Sequence, residues 1–215
     1  MSTDTPEFWN EMWADTDNVG SGSDAILSEQ IEHLTPGSAL EIGCGTGVNA
    51  VWLAQQGWQV TGVDYSEVAV EKGKQLAAEK GVNVEFVLAD ASTYQPKGQY
   101  DLITSFYIQL FPQQRAGMLA NMSKALAPGG TLLFVGHDKS GPPAGWSEED
   151  LLSLTTPEEI VAKLAELQIE QAFVLDDDAN GGQVSHMHHD GAEHETHEAQ
   201  RFHATSSTIV RAIRN

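Results

Sequence analysis

A glycine-rich run and two aspartates are the residues whose types and spacing could bind a nucleoside. Glycines alternate with other residues through the run 43–47 (GCGTG), directly after a short apolar stretch. Such a run allows a tight turn and brings backbone N–H groups close to a ligand. Asp64 and Asp90 each follow a further apolar stretch, where a carboxylate can accept hydrogen bonds from ribose hydroxyls or from an adenine amino group.

The elements that must position these residues form an alternation of strands and helices. Apolar runs predict strands at 38–42, 58–63, 84–88, 100–105, 131–135, 169–175 and 202–213. Helical periodicity and capping residues predict helices at 25–34, 48–56, 66–80, 112–126 and 156–167. Strands separated by helices indicate an α/β fold with a mainly parallel sheet and helices on both faces. The glycine run and both aspartates then lie at the carboxyl ends of strands, where open parallel sheets bind ligands.

Composition excludes several classes of partner. The chain has 215 residues, and 31 acidic residues against 11 Lys and Arg give a net charge of −20. Such a surface repels phosphate backbones and anionic lipids, so we expect no nucleic acid and no membrane partner. The single cysteine, Cys44, excludes an internal disulfide and a zinc site built from cysteines. With no secretory signal and no long apolar run, we expect a soluble cytoplasmic protein, a monomer or a homodimer.

The length suits one domain, which we predict over residues 1–215. Within it we expect an N-terminal helical cap at 1–34, a cofactor-binding core at 35–175, an acidic, histidine-rich loop at 176–200 and the last strand at 201–215. Trp9 and Trp13 stand four residues apart, so on a helix they share one face.

The spacing of the glycines narrows the choice of cofactor. A dinucleotide-binding fingerprint has the form G-x-G-x-x-G, whereas Val48 stands here where its third glycine would fall. No GK[ST] sequence follows the glycines, which excludes a P-loop for a nucleoside triphosphate. The run from Glu41 to Gly47, with Asp64 and the segments 88–91, 100–105 and 126–134, resembles the class I S-adenosylmethionine-dependent methyltransferases.

This resemblance implies a Rossmann-like sheet of seven strands, mostly parallel, with a C-terminal antiparallel hairpin. It also implies S-adenosylmethionine as cofactor. The glycine loop would lie against its methionine and ribose, Asp64 would hold the ribose, Asp90 would contact the adenine, and the end of the fourth strand would border the methyl group. The residues that the resemblance places against the cofactor are Trp13, Glu41, Gly43, Cys44, Gly45, Gly47, Asp64, Tyr65, Asp90, Ala91, Ser105 and Phe106.

The N-terminal stretch is similar to that of the small thiopurine and tellurite-resistance methyltransferases. In those proteins a helix with paired aromatic residues closes over the cofactor, which would be the role of Trp9 and Trp13. Simple packing of an amphipathic helix on the core explains the two tryptophans equally well. The resemblance implies a small-molecule methyl acceptor, with thiol and chalcogen nucleophiles among the options.

Methyl transfer from a sulfonium is an in-line displacement, in which the nucleophile must be positioned opposite the leaving sulfur. A thiolate or other soft nucleophile needs no general base, whereas a hydroxyl or amine needs one within hydrogen-bond reach. His137 and Tyr107 are the predicted catalytic residues, and Asp138 is a further candidate base. A histidine that only ends the fifth strand is the competing interpretation of His137.

Two competing functions follow from other features of the chain. A nicotinamide-dependent reductase could use a similar sheet, but the glycine spacing and the missing Tyr-x-x-x-Lys pair argue against it. A non-catalytic metal-buffering protein with a methyltransferase-like fold is favoured by the histidines within 186–203. These histidines match no rigid ligand spacing, so we predict no metal site; a solvated loop, a lid and a pH-responsive segment remain alternatives.

Overall fold

The computed structural model describes residues 5–15, 24–143, 146–176 and 205–215. Within these ranges the helices are α1 (Pro6–Ala14), α2 (Ala25–Ile31), α3 (Val48–Gln55), α4 (Glu67–Lys80), α5 (Pro112–Ala125) and α6 (Pro157–Val161). The strands are β1 (Ser38–Ile42), β2 (Gln59–Asp64), β3 (Val84–Leu88), β4 (Tyr100–Phe106), β5 (Leu126–His137), β6 (Gln168–Asp176) and β7 (Ser206–Ile213). A short 3₁₀ helix spans Asp150–Ser153.

The seven strands form one sheet in the order β3-β2-β1-β4-β5-β7-β6. The pairs β3–β2, β2–β1, β1–β4 and β4–β5 are parallel, whereas β7 runs antiparallel to both of its neighbours. The predicted Rossmann-like α/β fold with a C-terminal antiparallel hairpin is therefore confirmed. The direction of winding reverses between β1 and β4, and the carboxyl ends of these strands are where such sheets bind ligands.

Side chains alternate between two cores because successive strand residues point to opposite faces of the sheet. Leu40 of β1 packs in one core with Met118 of α5. Its neighbour Ala39 packs in the other core with Leu27 of α2 and Leu53 of α3. The predicted helices on both faces of the sheet are thus confirmed.

Three predicted helix ends are confirmed by their capping geometry. Ser66 precedes α4, and its hydroxyl accepts the N–H of Ala69 at 3.1 Å. Gly81 ends α4 in the left-handed region at φ +67°, which a glycine adopts without strain. Thr156 caps α6 in the same way as Ser66, with Pro157 in the first turn.

The predicted length of the helix at 156–167 is wrong. α6 ends at Val161, and the N–H groups of Lys163, Leu164 and Leu167 each donate to the carbonyl three residues earlier. Such tight turns still bury Leu164 and Leu167. Turns therefore bury the same apolar residues that a longer helix would bury, and the periodicity of the sequence alone does not distinguish the two structures.

The predicted boundary between α5 and β5 is also wrong. The helix ends at Ala125, and β5 begins at once at Leu126 rather than after the Pro128–Gly130 turn. The turn residues form an irregularity inside the strand, where the register with β4 shifts between Tyr100 and Leu102. Arg214 stabilises this arrangement, since it donates to the carbonyls of Lys124 and Leu126.

Several predictions concern residues outside the described ranges. The acidic, histidine-rich segment lies there except for Asp176, which belongs to β6 and pairs with Ser206. The predicted start of the last strand at Phe202 lies there as well, and the described part of β7 begins at Ser206. Among the described residues, no helix combines the length and apolarity needed to cross a membrane.

Candidate active site

The glycine run forms a turn that glycine alone can make without strain. Gly43, Gly45 and Gly47 have φ values of +72°, +52° and +76°, a region that disfavours side chains with a Cβ. The N–H groups of Gly43 and Cys44 donate to the carbonyl of Val63 at 2.8 and 3.0 Å, which ties the turn to β2. The turn is therefore held by the protein itself, with several of its N–H groups already used.

Asp64 connects the end of β2 to the glycine turn. One carboxylate oxygen accepts the N–H of Gly45 at 2.8 Å, and the other accepts the N–H of Ser66 at 2.9 Å. Burial raises the pKa of Asp64 above its ordinary value, and the hydrogen bonds from Ser66, Gly45 and Tyr65 oppose this rise. Its carboxylate has further lone pairs that can accept hydrogen bonds from ribose hydroxyls.

Glu41 is a deeply buried acid beside the glycine turn, with 2 % of its surface exposed. The Asn49 side chain and the Ala50 N–H, in the first turn of α3, lie near its carboxyl group and lower its pKa. Its Oε2 has no hydrogen-bond partner among the described residues. Burial raises the pKa of Glu41 to about 8, and the nearby acids Asp64 and Asp24 add to the rise.

Cys44 packs against the sheet. A Cβ at Gly62 would lie 3.0 Å from its Sγ, so the thiol fills the space that the glycine leaves on β2. Burial raises the pKa of the Cys44 thiol well above its ordinary value, with Asp64 and Glu41 contributing. A buried neutral thiol is a poor nucleophile, so Cys44 shapes the loop and is unsuited to covalent catalysis.

The N-terminal helix α1 lies across the glycine turn. A Cβ at Gly45 would come within 3.1 Å of the Trp13 ring. Asn10 accepts the Ser66 hydroxyl at 2.7 Å and the Val68 N–H at 3.3 Å, which attaches α1 to the start of α4. Trp9 and Trp13 share a face, with ring centroids 6.2 Å apart. Sequence reasoning missed Asn10, because its partners are more than 50 residues away.

A cleft of about 360 Å³ opens between α1, β3 and α5. Pro6, Tyr65, Leu88, Ala89, Asp90, Leu110 and Gln114 line it. Asp90 is exposed at its rim, and the next residue, Ala91, is buried in the core. The structure therefore brings Tyr65 and Asp90 together as predicted, while Pro6, Leu110 and Gln114 carry no sequence signal for this role.

The end of β4 turns outward at Tyr107. Ser105 and Phe106 are buried, and Phe106 packs in the core that contains Leu102. Tyr107 has φ +51°, a left-handed value that is strained for a bulky residue. The next residue, Ile108, lies against the glycine turn, since a Cβ at Gly43 would approach its Cδ1 to 2.8 Å.

The two predicted catalytic residues lie side by side. The rings of Tyr107 and His137 are 4.9 Å apart, and the Trp146 ring meets His137 edge-on at 5.9 Å. The Tyr107 hydroxyl lies 3.3 Å from the Ser207 hydroxyl of β7. Sequence reasoning missed Trp146 and Ser207, because only the register of β5 with β7 places Ser207 opposite His137.

Asp138 is occupied by structural hydrogen bonds. One oxygen accepts the N–H and hydroxyl of Ser140 at 2.8 and 2.6 Å, and the other accepts the Thr208 hydroxyl at 2.6 Å. These bonds fix the chain beyond β5. Among the described residues, no group of three or more His, Cys, Asp or Glu side chains could hold a metal ion.

Comparison with known proteins identifies the family. Residues 39–130 match a family described as a methyltransferase domain. The chain is also 31 % identical over 155 residues to a probable thiol methyltransferase of Arabidopsis thaliana. This match covers 66 % of this chain and 68 % of that protein. The chain belongs to the class I S-adenosylmethionine-dependent methyltransferases. The S-adenosylmethionine cofactor that the resemblance implied is thereby confirmed.

Solved methyltransferase-like structures share the fold. TehB from Haemophilus influenzae matches with a TM-score of 0.69 at 16 % identity, over 98 % of this chain and 67 % of that one. The N-methyltransferase NodS from Bradyrhizobium japonicum, solved with S-adenosylhomocysteine, matches with a TM-score of 0.68 at 17 % identity, over 98 % and 99 % of the two chains. At these identities the likeness establishes the fold. The match to a ubiquinone biosynthesis O-methyltransferase from Burkholderia vietnamiensis, 32 % identical, spans 47 % of this chain and 45 % of that protein.

Proposed function

We propose that this methyltransferase transfers the methyl group of S-adenosylmethionine to a small-molecule acceptor at the carboxyl end of β4 and β5. The observation that carries the proposal is the pair of buried acids, Glu41 and Asp64, beside the glycine turn. Burial raises the pKa of both carboxyl groups, because their ionised forms have a deficit of solvation there. A cationic nucleoside relieves that deficit, because a nearby positive charge favours the ionised carboxylates.

The same acids disfavour a dinucleotide. A pyrophosphate needs free backbone N–H groups at a helix N-terminus. In this chain Asp64 already accepts the Gly45 N–H, and the Glu41 carboxyl group lies beside the first turn of α3. In their ionised forms, the two buried carboxyl groups would also repel the phosphates. A nicotinamide-dependent reductase is therefore the weaker proposal.

In this proposal the cleft binds the adenine end of the cofactor, and the glycine turn binds its methionine end. Tyr65 and Asp90 would flank the adenine in the cleft, with Ala91 beneath it, and Asp64 would hold the ribose. Trp13 and Ile108 approach the glycine turn from opposite elements and would enclose the methionine end. Ser105 and Phe106 would support this region from below, since both are buried.

Bound S-adenosylmethionine would supply an electrophilic methyl group on a sulfonium. The chain would then need to exclude water, orient the acceptor and, for a hydroxyl or amine, remove its proton. His137 is the proposed base and Tyr107 an orienting residue, because their rings stack at the strand ends. Asp138 is unsuited to the role of base, because both of its oxygens already accept hydrogen bonds.

For the acceptor we propose a soft nucleophile such as a thiol. The Arabidopsis thaliana relative bears the name thiol methyltransferase, and the fold resembles that of TehB. The site fits this class, since the rings of Tyr107, His137 and Trp146 at the ends of β4 and β5 offer polarisable surfaces to a soft nucleophile. A thiol with a pKa near neutrality provides its own thiolate and depends little on His137.

The test combines binding with turnover. S-adenosylhomocysteine should raise the melting temperature of the purified protein, whereas NADH should not. Radiolabelled S-adenosylmethionine should then transfer label to members of a panel of small thiols, phenols and amines, with thiols fastest. Label transfer to phenols or amines alone would overturn the thiol proposal, and transfer to no acceptor together with absent binding would overturn the methyltransferase activity.

A further inference from the structure

Arg115 carries a buried positive charge that the proposed chemistry does not use. It lies in the second turn of α5 and is 5 % exposed. Its Nη1 donates to the carbonyls of Leu110 and Ser153 at 2.7 and 2.9 Å, and its Nη2 donates to the carbonyl of Leu154 at 3.4 Å. One guanidinium therefore joins the loop after β4 to the segment after β5.

This placement is energetically unfavourable for a cation. Burial lowers the pKa of the Arg115 guanidinium, and the charge lies near the N-terminal end of α5, where the helix dipole is positive. Glu159 favours the charge, but its carboxylate forms an ion pair with Lys139. The three carbonyl contacts must therefore compensate, and they fix two segments of the chain relative to each other.

Both segments belong to the candidate site. Leu110 lines the cleft in which Tyr65 and Asp90 lie. Ser153 and Leu154 directly precede Thr155, whose N–H and hydroxyl donate to the carbonyl of His137 at 3.0 and 3.2 Å. A chain of contacts thus runs from the cleft wall through Arg115 to the backbone of the proposed base.

We propose that Arg115 is a positioning residue that locks the cofactor cleft to the segment supporting His137, so that cofactor and acceptor are held in one geometry. The inference rests on the proposed function, since it assigns the cleft to the cofactor. Without the guanidinium, three buried carbonyls lose their donor, and the loop carrying Leu110 separates from the segment carrying Thr155.

The test compares Arg115→Ala with a matched control, Arg214→Ala, which removes an arginine that contacts the C-terminal end of α5. Arg214→Ala also removes a guanidinium that binds two carbonyls, those of Lys124 and Leu126. We expect R115A to weaken S-adenosylhomocysteine binding about tenfold in calorimetry, from the loss of charged hydrogen bonds. Millimolar guanidinium chloride should restore part of that affinity. R214A should lower the melting temperature, keep the wild-type affinity and gain no affinity from guanidinium.

Amide hydrogen exchange at Thr155 gives a second readout that needs no cofactor. Exchange should accelerate in R115A and remain as in the wild type in R214A. If R115A does not fold, Arg115→Lys takes its place, because a lysine cannot reach all three carbonyls. Wild-type affinity and wild-type exchange in the Arg115 variant would overturn the inference, as would equal effects in R214A. Absent binding by the wild-type protein would instead count against the proposed function, and the exchange at Thr155 would still decide the role of Arg115.

Discussion

The two halves of the candidate site are built on opposite physical principles. The cofactor half, at the ends of β1 to β3, uses buried carboxyl groups and a backbone turn fixed by its own hydrogen bonds. The acceptor half, at the ends of β4 and β5, uses aromatic rings and one strained residue, Tyr107. The cofactor half is therefore suited to one charged ligand, whereas the acceptor half offers polarisable surfaces that suit a range of small molecules.

The largest expected effect lies in the cofactor half, at Asp64. One carboxylate oxygen of Asp64 accepts the N–H of Gly45, and the other accepts the N–H of Ser66. In Asp64→Asn the side-chain NH₂ group replaces one of these oxygens, so two hydrogen-bond donors must face each other. We expect the dissociation constant for S-adenosylhomocysteine to rise about a hundredfold, which corresponds to one to two lost charged hydrogen bonds. Calorimetry measures it.

Asp101→Asn is the matched control for this change. Asp101 accepts the N–H and hydroxyl of Ser38, both at 2.8 Å, at the opposite edge of the sheet, and these bonds lower its pKa. D101N should therefore reduce thermal stability and leave the affinity unchanged. Equal affinities of D64N and the wild type would contradict the assignment of Asp64 to the ribose.

The next effect belongs to the acceptor half. His137→Gln should reduce kcat by tens of fold for a phenol or amine acceptor, since general base catalysis contributes at least that much. For a thiol acceptor kcat should change little, and binding of S-adenosylhomocysteine should stay constant for both. A loss of cofactor affinity in H137Q would show that the two halves are not separate.

Gly45→Ala should produce a smaller effect, of about tenfold, on cofactor affinity. The new Cβ meets the Trp13 ring at 3.1 Å and sits on backbone with φ +52°. Gly81→Ala is the control, because Gly81 has φ +67° and a Cβ there would meet no atom of the described residues within 4 Å beyond its own chain neighbours. Both variants lose similar stability from backbone strain, so a loss of affinity in G45A alone assigns the effect to the glycine turn and its contact with Trp13.

The pH dependence of stability gives the finest test of the cofactor half. Burial raises the pKa of Glu41 to about 8, so the folded protein holds this proton more tightly than the unfolded chain. Stability from this group is fully present below the ordinary pKa of about 4.5 and is lost as pH rises to about 8. Glu41→Gln, which mimics the protonated form, should remove this decline in melting temperature. An unchanged decline in E41Q would assign it to another group.

The cofactor half could be predicted from sequence because its residues lie directly at strand ends. The conformation of the glycine turn depends on the φ angles of its own glycines, and the position of Asp64 depends only on where β2 ends. The local sequence pattern therefore predicts both. The acceptor half joins Tyr107, His137 and Ser207, whose proximity depends on how β7 inserts beside β5. No local pattern encodes that register, just as none revealed that Leu164 and Leu167 are buried by turns.

The measurement that tests the central claim most directly is calorimetric titration of the wild-type protein with S-adenosylmethionine and with NADH. The account predicts binding of one S-adenosylmethionine per chain, with an affinity that tightens as pH rises towards 8, and no heat with NADH. Binding of NADH, or no binding of S-adenosylmethionine to folded protein, would contradict the assignment of the two buried acids to a cationic nucleoside.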